Sequence, residues 1–431
     1  MHFAEKFTPR ERRNFRILAY ASTWFGCFAD VVMESSAIII LFIGLLNGSP
    51  TLAMFSTSMN GIVSMLLMFP AAALVNRLGA RKGVYIACII AVGSYLFIAT
   101  APWWGGHTGK YIVLLGCFLF CVSKPLWTAA WYVILGDILL PEERGPFLGF
   151  MRFSYYILTG SALFLIGFFM GKEPSIGFMQ TIILCVGLIG IGRIITISKI
   201  PLDDHKAQTS NFRKEFSISI RNGSLVSFSI YICMMCLAFA PVLPLTILYL
   251  KDHLKCGSDL VQIISTASIA GNICAFFFYG KLQKWMGIRG LLIATHLLYI
   301  LVPLVIAFFG SNTPSHLYCI AGLTFLGGAA FASFLCIVSQ ETLALARPGN
   351  VAMTTALSQT YYMLGTACGR VGNSILLGSG ILSLSFTYGK FTFCHYQSIF
   401  LFCAVIAILG LFMLPSLSSM ISNREEWYQP K

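Results

Sequence analysis

The sequence predicts an all-α integral membrane protein with twelve transmembrane helices arranged as two pseudo-symmetric six-helix bundles. Three observations carry that expectation. Of 431 residues 57% are apolar and only 10% are charged, whereas soluble domains carry roughly 25% charged residues to build a water-facing shell. The apolar residues fall in runs long enough to cross a bilayer as helices, which takes about 20 residues rising 1.5 Å each. One loop also occurs twice: Ala72-Ala-Leu-Val-Asn-Arg-Leu-Gly-Ala-Arg81 is echoed by Gly280-Lys-Leu-Gln-Lys-Trp-Met-Gly-Ile-Arg289, which aligns Leu74 with Leu282, Gly79 with Gly287 and Arg81 with Arg289. A repeat spaced by about half the chain implies two copies of one hydrophobic unit.

Taken in order, segment 1–16 is polar and basic and has no short apolar core ending in small residues, so the first apolar run is expected to stay as a membrane helix. Six spans, Ile17–Leu46, Leu52–Val75, Val84–Ala101, Tyr111–Leu135, Phe147–Gly171 and Ile176–Ile197, make an N-terminal bundle over 17–197. A central cytoplasmic loop follows at 198–222. Six more, Leu225–Leu250, Leu260–Leu282, Ile288–Phe309, Leu317–Val338, Val351–Leu377 and Tyr396–Leu414, make a C-terminal bundle over 223–415, and 416–431 is a cytoplasmic tail. In the central loop, Phe212, Phe216 and Ile220 recur four apart beside Arg213, Lys214 and Arg221. That spacing suits a short amphipathic helix on the inner membrane surface, with a solvated linker as the equal alternative.

Placing both termini in the cytoplasm puts most of the 29 Lys and Arg residues on that side, among them Arg10, Arg12, Arg13, Arg16, Arg77, Arg81, Lys82 and Arg289. Lys110, Lys172, Lys251, Lys255 and Lys390 fall outside. This satisfies the positive-inside rule for an inner or plasma membrane protein, and it accounts for the net charge of +13 without a nucleic-acid partner.

The two six-helix halves, the long central loop, and a loop between the second and third helices of each half patterned Gly-x-Leu-x-Asp-Arg-x-Gly-Arg together resemble the major facilitator superfamily of transporters. The chain departs from that pattern at Ala72, Asn76 and Ala80, and in the second copy Lys284 and Trp285 replace the acidic and basic positions. Asp137-Ile-Leu-Leu-Pro-Glu-Glu-Arg-Gly145 also looks like the family's pattern after the fourth helix, with Glu341 and Arg347 as a weaker echo. The resemblance implies two halves that rock about a central site, and a cytoplasmic gate at Asn76, Arg77, Arg81, Asp137, Arg144, Arg289 and Glu341. Asn76 can accept a hydrogen bond there but supplies no Coulomb attraction. The plain alternative is that these residues only enforce topology.

Charges inside the spans are more telling, because each costs at least ~2.5 kcal/mol at a helix centre. Five are legible: Asp30, Glu34, Lys124, Arg152 and Arg370. Asp30 and Lys124 share a depth in spans one and four, helices that in the family line the central cavity. Asp30 lies on a small and polar stripe with Thr23, Gly26, Cys27, Glu34 and Ala37. Asp30 and Glu34 are therefore the expected proton carriers, and a mutually satisfied ion pair with Lys124 is the structural alternative. Lys124, Trp127, Trp131, Arg152, Tyr156, Gln359 and Tyr362 are expected to bind substrate, the two indoles either stacking on it or packing between helices. Arg370 lies toward the outer end of its span and is free to snorkel.

In span seven, Pro241 and Pro244 are expected to kink the helix and free carbonyls. Most of the 14 cysteines lie within spans as small apolar residues; Cys256 and Cys394 fall near the external side, where a bridge is one option. No spacing resembles a metal site, and no phosphate-binding Gly loop supports ATP-driven transport, so no cofactor is expected. No catalytic constellation points to an enzyme. The functional expectation is a monomeric secondary active transporter that moves a small polar organic solute, coupled to protons. The five deep charges carry a positive excess, which slightly favours an anionic or zwitterionic solute. A sugar-type symporter using Trp127 and Trp131, an exporter of amphipathic drugs, and a membrane sensor on a transporter fold are the alternatives.

Overall fold

Helix α1 (Pro9–Ser35) starts ahead of the first apolar run because its end is capped. Thr8 Oγ1 accepts from the Glu11 amide at 3.3 Å, the Glu11 carboxylate accepts from the Thr8 amide at 2.9 Å, and Pro9 occupies the first helical position. The computed structural model describes residues 6–139, 141–201, 212–346, 351–382, 385–388 and 391–417. Segment 1–5, residues 202–211 of the expected central loop, Arg347, Lys390 and most of the expected tail (418–431) lie outside the described residues.

The first expected span is not one straight helix. α1 ends at Ser35 and α2 (Ile38–Leu45) leaves it at a bend of 58°. Ser36 explains the break: its Oγ donates back to the Val32 carbonyl at 2.8 Å and accepts from the Ile38 amide at 3.3 Å, while its own backbone is extended. α3 (Pro50–Leu78), α4 (Ala80–Ala99), α5 (Gly105–Ile138) and α6 (Pro141–Met170) follow, then α7 (Ile176–Ile189) and α8 (Ile191–Ser198), which divide the sixth expected span at Gly190. α9 (Phe212–Ile220) lies within the expected central loop, where a short helix was one of the two alternatives, with Phe216 packed against apolar core.

In span seven, where a kink was expected, the helix is interrupted at Ala240 and Pro241. α10 (Gly223–Phe239) stops before Pro241, and α11 (Val242–Leu248) continues into a π-helical turn, Tyr249–His253. α12 (Ser258–Ile306) comprises two helices that meet at a kink at Gly287, with φ +67°, where two spans joined by a loop were expected. Its repeat partner Gly79 has φ +85° between α3 and α4. The duplicated loop thus places a left-handed turn at the same point in each half, and glycine is the residue that adopts it without strain. α13 (Pro314–Ala344), α14 (Val351–Gly378), a hairpin of β1 (Ser385–Tyr388) with β2 (Phe391–Cys394), and α15 (His395–Gly410) complete the chain.

Among the described residues nine helices are long and apolar enough to cross a membrane, or ten if α1 and α2 form one span. The expected count of twelve differs at two places. α12 counts once although it comprises two helices that meet at a kink at Gly287, one for each of two expected spans, and α14, with Gln359, Thr366, Arg370 and Asn373 along it, is too polar to be among the nine. Cys256 and Cys394 are not bridged.

By contact the chain divides into two compact units, Met1–Ser49 with Leu66–Thr209, and Pro50–Met65 with Ser210–Lys431. In the first, Trp127, Ala130, Trp131, Ile134 and Phe147 anchor the core. In the second, Phe228, Tyr231, Met235, Tyr299 and Phe334 do so, and Phe239 stacks on Tyr299 at 3.9 Å between ring centroids. α12 and α13 touch backbone to backbone. A Cβ on Gly271 would lie 2.0 Å from the Phe325 carbonyl oxygen, and one on Gly328 1.9 Å from that of Ser268. Gly271→Ala is therefore expected to lower stability by about 2 kcal/mol, read as an earlier thermal unfolding midpoint in detergent. Gly322→Ala, with nothing within 4 Å of its Cβ, should leave the midpoint unchanged.

Candidate functional site

Three helices of the first unit bring four charged side chains together. Asp30 and Glu34 lie one turn apart on α1 and so share a face. Lys124, on α5, sits between them: its Nζ is 3.0 Å from Asp30 Oδ1 and 2.9 Å from Glu34 Oε1. Arg193, on α8, approaches Asp30 from the other side, with Nη2 3.5 Å from Oδ2. The four charges sum to zero. In an apolar bundle each would be costly alone, and mutual pairing is what makes their burial tolerable.

Arg193 is the most buried of the four, its side chain 8% exposed against 17% for Asp30, 21% for Lys124 and 28% for Glu34. Its seat is built by its neighbours. Nε donates to the Ser22 carbonyl at 3.3 Å, and the guanidinium lies over the Trp127 ring, Cζ 3.7 Å from its centroid. Gly26 leaves the room: a Cβ there would fall 1.5 Å from Arg193 Cζ. A small cavity beside the quartet is lined by Gly26, Asp30, Tyr95, Lys124, Trp127 and Arg193, and the Tyr95 hydroxyl is committed to the Ala29 carbonyl at 2.6 Å.

The structure thus brings together three residues singled out from the sequence and adds a fourth that sequence reasoning missed. Arg193 falls inside the expected sixth span, after Gly190-Ile-Gly, but close enough to its end to pass as a topology charge. With it, the positive excess among the deep charges rises by one. Trp127 and Trp131 are buried and stacked on each other at 5.0 Å, Trp127 also under Arg193, which is an arrangement for packing and cation–π contact. Tyr156 is buried on α6 beside Tyr155, at 4.6 Å between centroids, and Arg152 on the same helix is partly buried.

Gln359 and Tyr362 belong to the second unit and are partly buried on α14. Arg370 on that helix does not snorkel as expected. Its Nε donates to the Ala240 carbonyl at 3.1 Å and its Nη1 to the Thr57 carbonyl at 2.5 Å, both within the second unit. Ala240 is four residues before Pro244, so its carbonyl is one that a proline leaves without an intrahelical donor. The other, on Leu237, faces α14 where a Cβ on Gly369 would come within 2.5 Å of it.

Of the expected gate, Arg81 is exposed and its Nη2 donates to the Ile200 carbonyl at 2.9 Å, closing the end of α8. Arg77 and Arg289 are exposed, whereas Asp137 and Glu341 are buried. The side chains of Asn76 and Arg144 lie outside the described residues, and with them the expected lock. One residue before Glu341, Gln340 accepts from the Tyr279 hydroxyl at 2.9 Å and donates through Nε2 to Gln283 Oε1 at 3.2 Å.

A multi-pass helical bundle with a buried, balanced charge cluster in one unit is the architecture of a membrane transporter. The chain belongs to the Major Facilitator Superfamily, whose family model matches residues 23–370. Solved structures share its fold at low identity. The nucleoside transporter NupG aligns with a TM-score of 0.69 and 13% identity over 94% of this chain and 99% of that one. The peptide transporter POT aligns with 0.71 and 13% over 93% of each, and a D-xylose-proton symporter with 0.72 and 11% over 93% and 96%. No curated protein matches the chain by sequence.

Proposed function

We propose that the protein is a proton-coupled secondary transporter of a small polar organic solute, with anionic or zwitterionic solutes favoured. The observation that supports this reading is the quartet of Asp30, Glu34, Lys124 and Arg193. Two carboxylates sharing one lysine form an element with two arrangements: a proton on either acid releases Lys124 from it and leaves the other pair intact. Such an element links proton occupancy to conformation whenever the two arrangements differ in their affinity for the solute. The positive excess among the deep charges, larger with Arg193 counted, supports the charge preference. That one fold neighbour is a proton symporter accords with coupling.

Purified protein in liposomes, offered labelled nucleosides, dipeptides, pentoses and amino acids with and without an inward proton gradient, tests the proposal. One solute class is expected to accumulate only while the gradient lasts, with an entrapped pH dye reporting proton entry alongside it. Accumulation that survives a protonophore would overturn the coupling.

A further inference from the structure

We infer that Glu34 is the carboxylate that takes up the proton, and that Arg193 makes this choice by keeping Asp30 charged. The inference deepens the proton-coupling proposal and rests on it for its role in transport. Asp30 has two cations, Lys124 at 3.0 Å on one oxygen and Arg193 at 3.5 Å on the other. Among the described residues Glu34 has Lys124 alone in ion-pair distance. Its side chain is also the more exposed, 28% against 17%.

The helix end acts in the same direction. Ser36 terminates α1, so Glu34 occupies the last turn, where unsatisfied carbonyls and the negative end of the helix dipole oppose a carboxylate. Asp30 lies a full turn further in. The other titratable or charged groups around Glu34 are Cys27 on α1, Tyr95 on α4, and Tyr156 on α6 with Arg152 one turn from it. Tyr95 is held by the Ala29 carbonyl. In the step itself a proton from water bonds to a Glu34 oxygen, the ion pair with Lys124 breaks, and Lys124 stays with Asp30. The quartet passes from zero to one positive charge.

Infrared difference spectra between neutral and acid pH, recorded on the full-length protein in lipid, read this without a solute. Acidification should produce a protonated-carboxyl stretch that is lost in Glu34→Gln and retained in Asp30→Asn. Arg193→Gln should add a second such band, absent when Asp30→Asn is combined with it, whereas Arg193→Lys should keep the wild-type spectrum. Circular dichroism checks that each variant is folded; if Arg193→Gln is not, the two carboxylate variants still decide the assignment. A band that follows Asp30, or an Arg193→Gln spectrum identical to wild type in a folded protein, overturns the inference and leaves the coupling proposal standing. An intact Glu34 band in a protein whose uptake ignores the proton gradient overturns the coupling proposal instead.

Discussion

Replacing Arg370 with Leu is expected to lower the stability of the protein by about 2 kcal/mol. Its bonds to the part-buried carbonyls of Ala240 and Thr57 are lost at once; Thr57, inside α3, keeps its intrahelical donor, whereas Ala240, four residues before Pro244, is left without one, which costs roughly 1–3 kcal/mol. The two acceptors separate in a further variant. Pro244→Ala restores the amide that a continuous helix would direct at Ala240, so Arg370→Leu with Pro244→Ala should regain roughly 1 kcal/mol of the loss. Thermal unfolding of the two single variants and the double checks this. Equal midpoints for Arg370→Leu and the double would show that the proline break does not depend on the arginine.

Lys124→Met is expected to destabilise the protein by about 3 kcal/mol, because it leaves Glu34 without a cation in a largely buried place. The value lies at the low end for a broken buried pair because Lys124 and Glu34 keep 21% and 28% of their side-chain surface exposed. The compensating change is Glu34→Gln, which should recover most of the loss, since Asp30 still has Arg193. Asp30→Leu in the same background should not: it strands Arg193 and leaves Glu34 unpaired. If the Lys124 and Glu34 shifts prove additive, the pair does not couple and Lys124 is better regarded as a ligand for an incoming anion.

Most helix positions were legible because a membrane span is a composition signal: α5, α6, α13 and α15 contain their expected apolar windows nearly whole. The turn glycines Gly79 and Gly287 and the proline break in span seven were legible as well, because each acts through local backbone rules. The break at Ser36 was not. A Ser-Ser-Ala sequence is ordinary within a membrane helix, and only the direction of the Ser36 hydroxyl shows that the chain bends there. In the site, opposite signs at equal depth pointed to Asp30 with Lys124, and the stripe on α1 added Glu34. Arg193 was hidden because a charge near the end of a span has an adequate explanation in topology. The partners of Arg370 had no signature at all, since both are main-chain oxygens that any residue would carry.

The neutrality of the quartet has an electrical consequence. A site whose four charges cancel feels no net force from the membrane voltage when its bundle reorients, whereas one elementary charge carried across the field is worth about 2.3 kcal/mol per 100 mV. With all four groups ionised, the quartet therefore adds no voltage dependence to the return of the empty site. Voltage acts through the quartet only on the step in which it carries an added charge, and an anionic solute bound beside that charge would cancel that contribution.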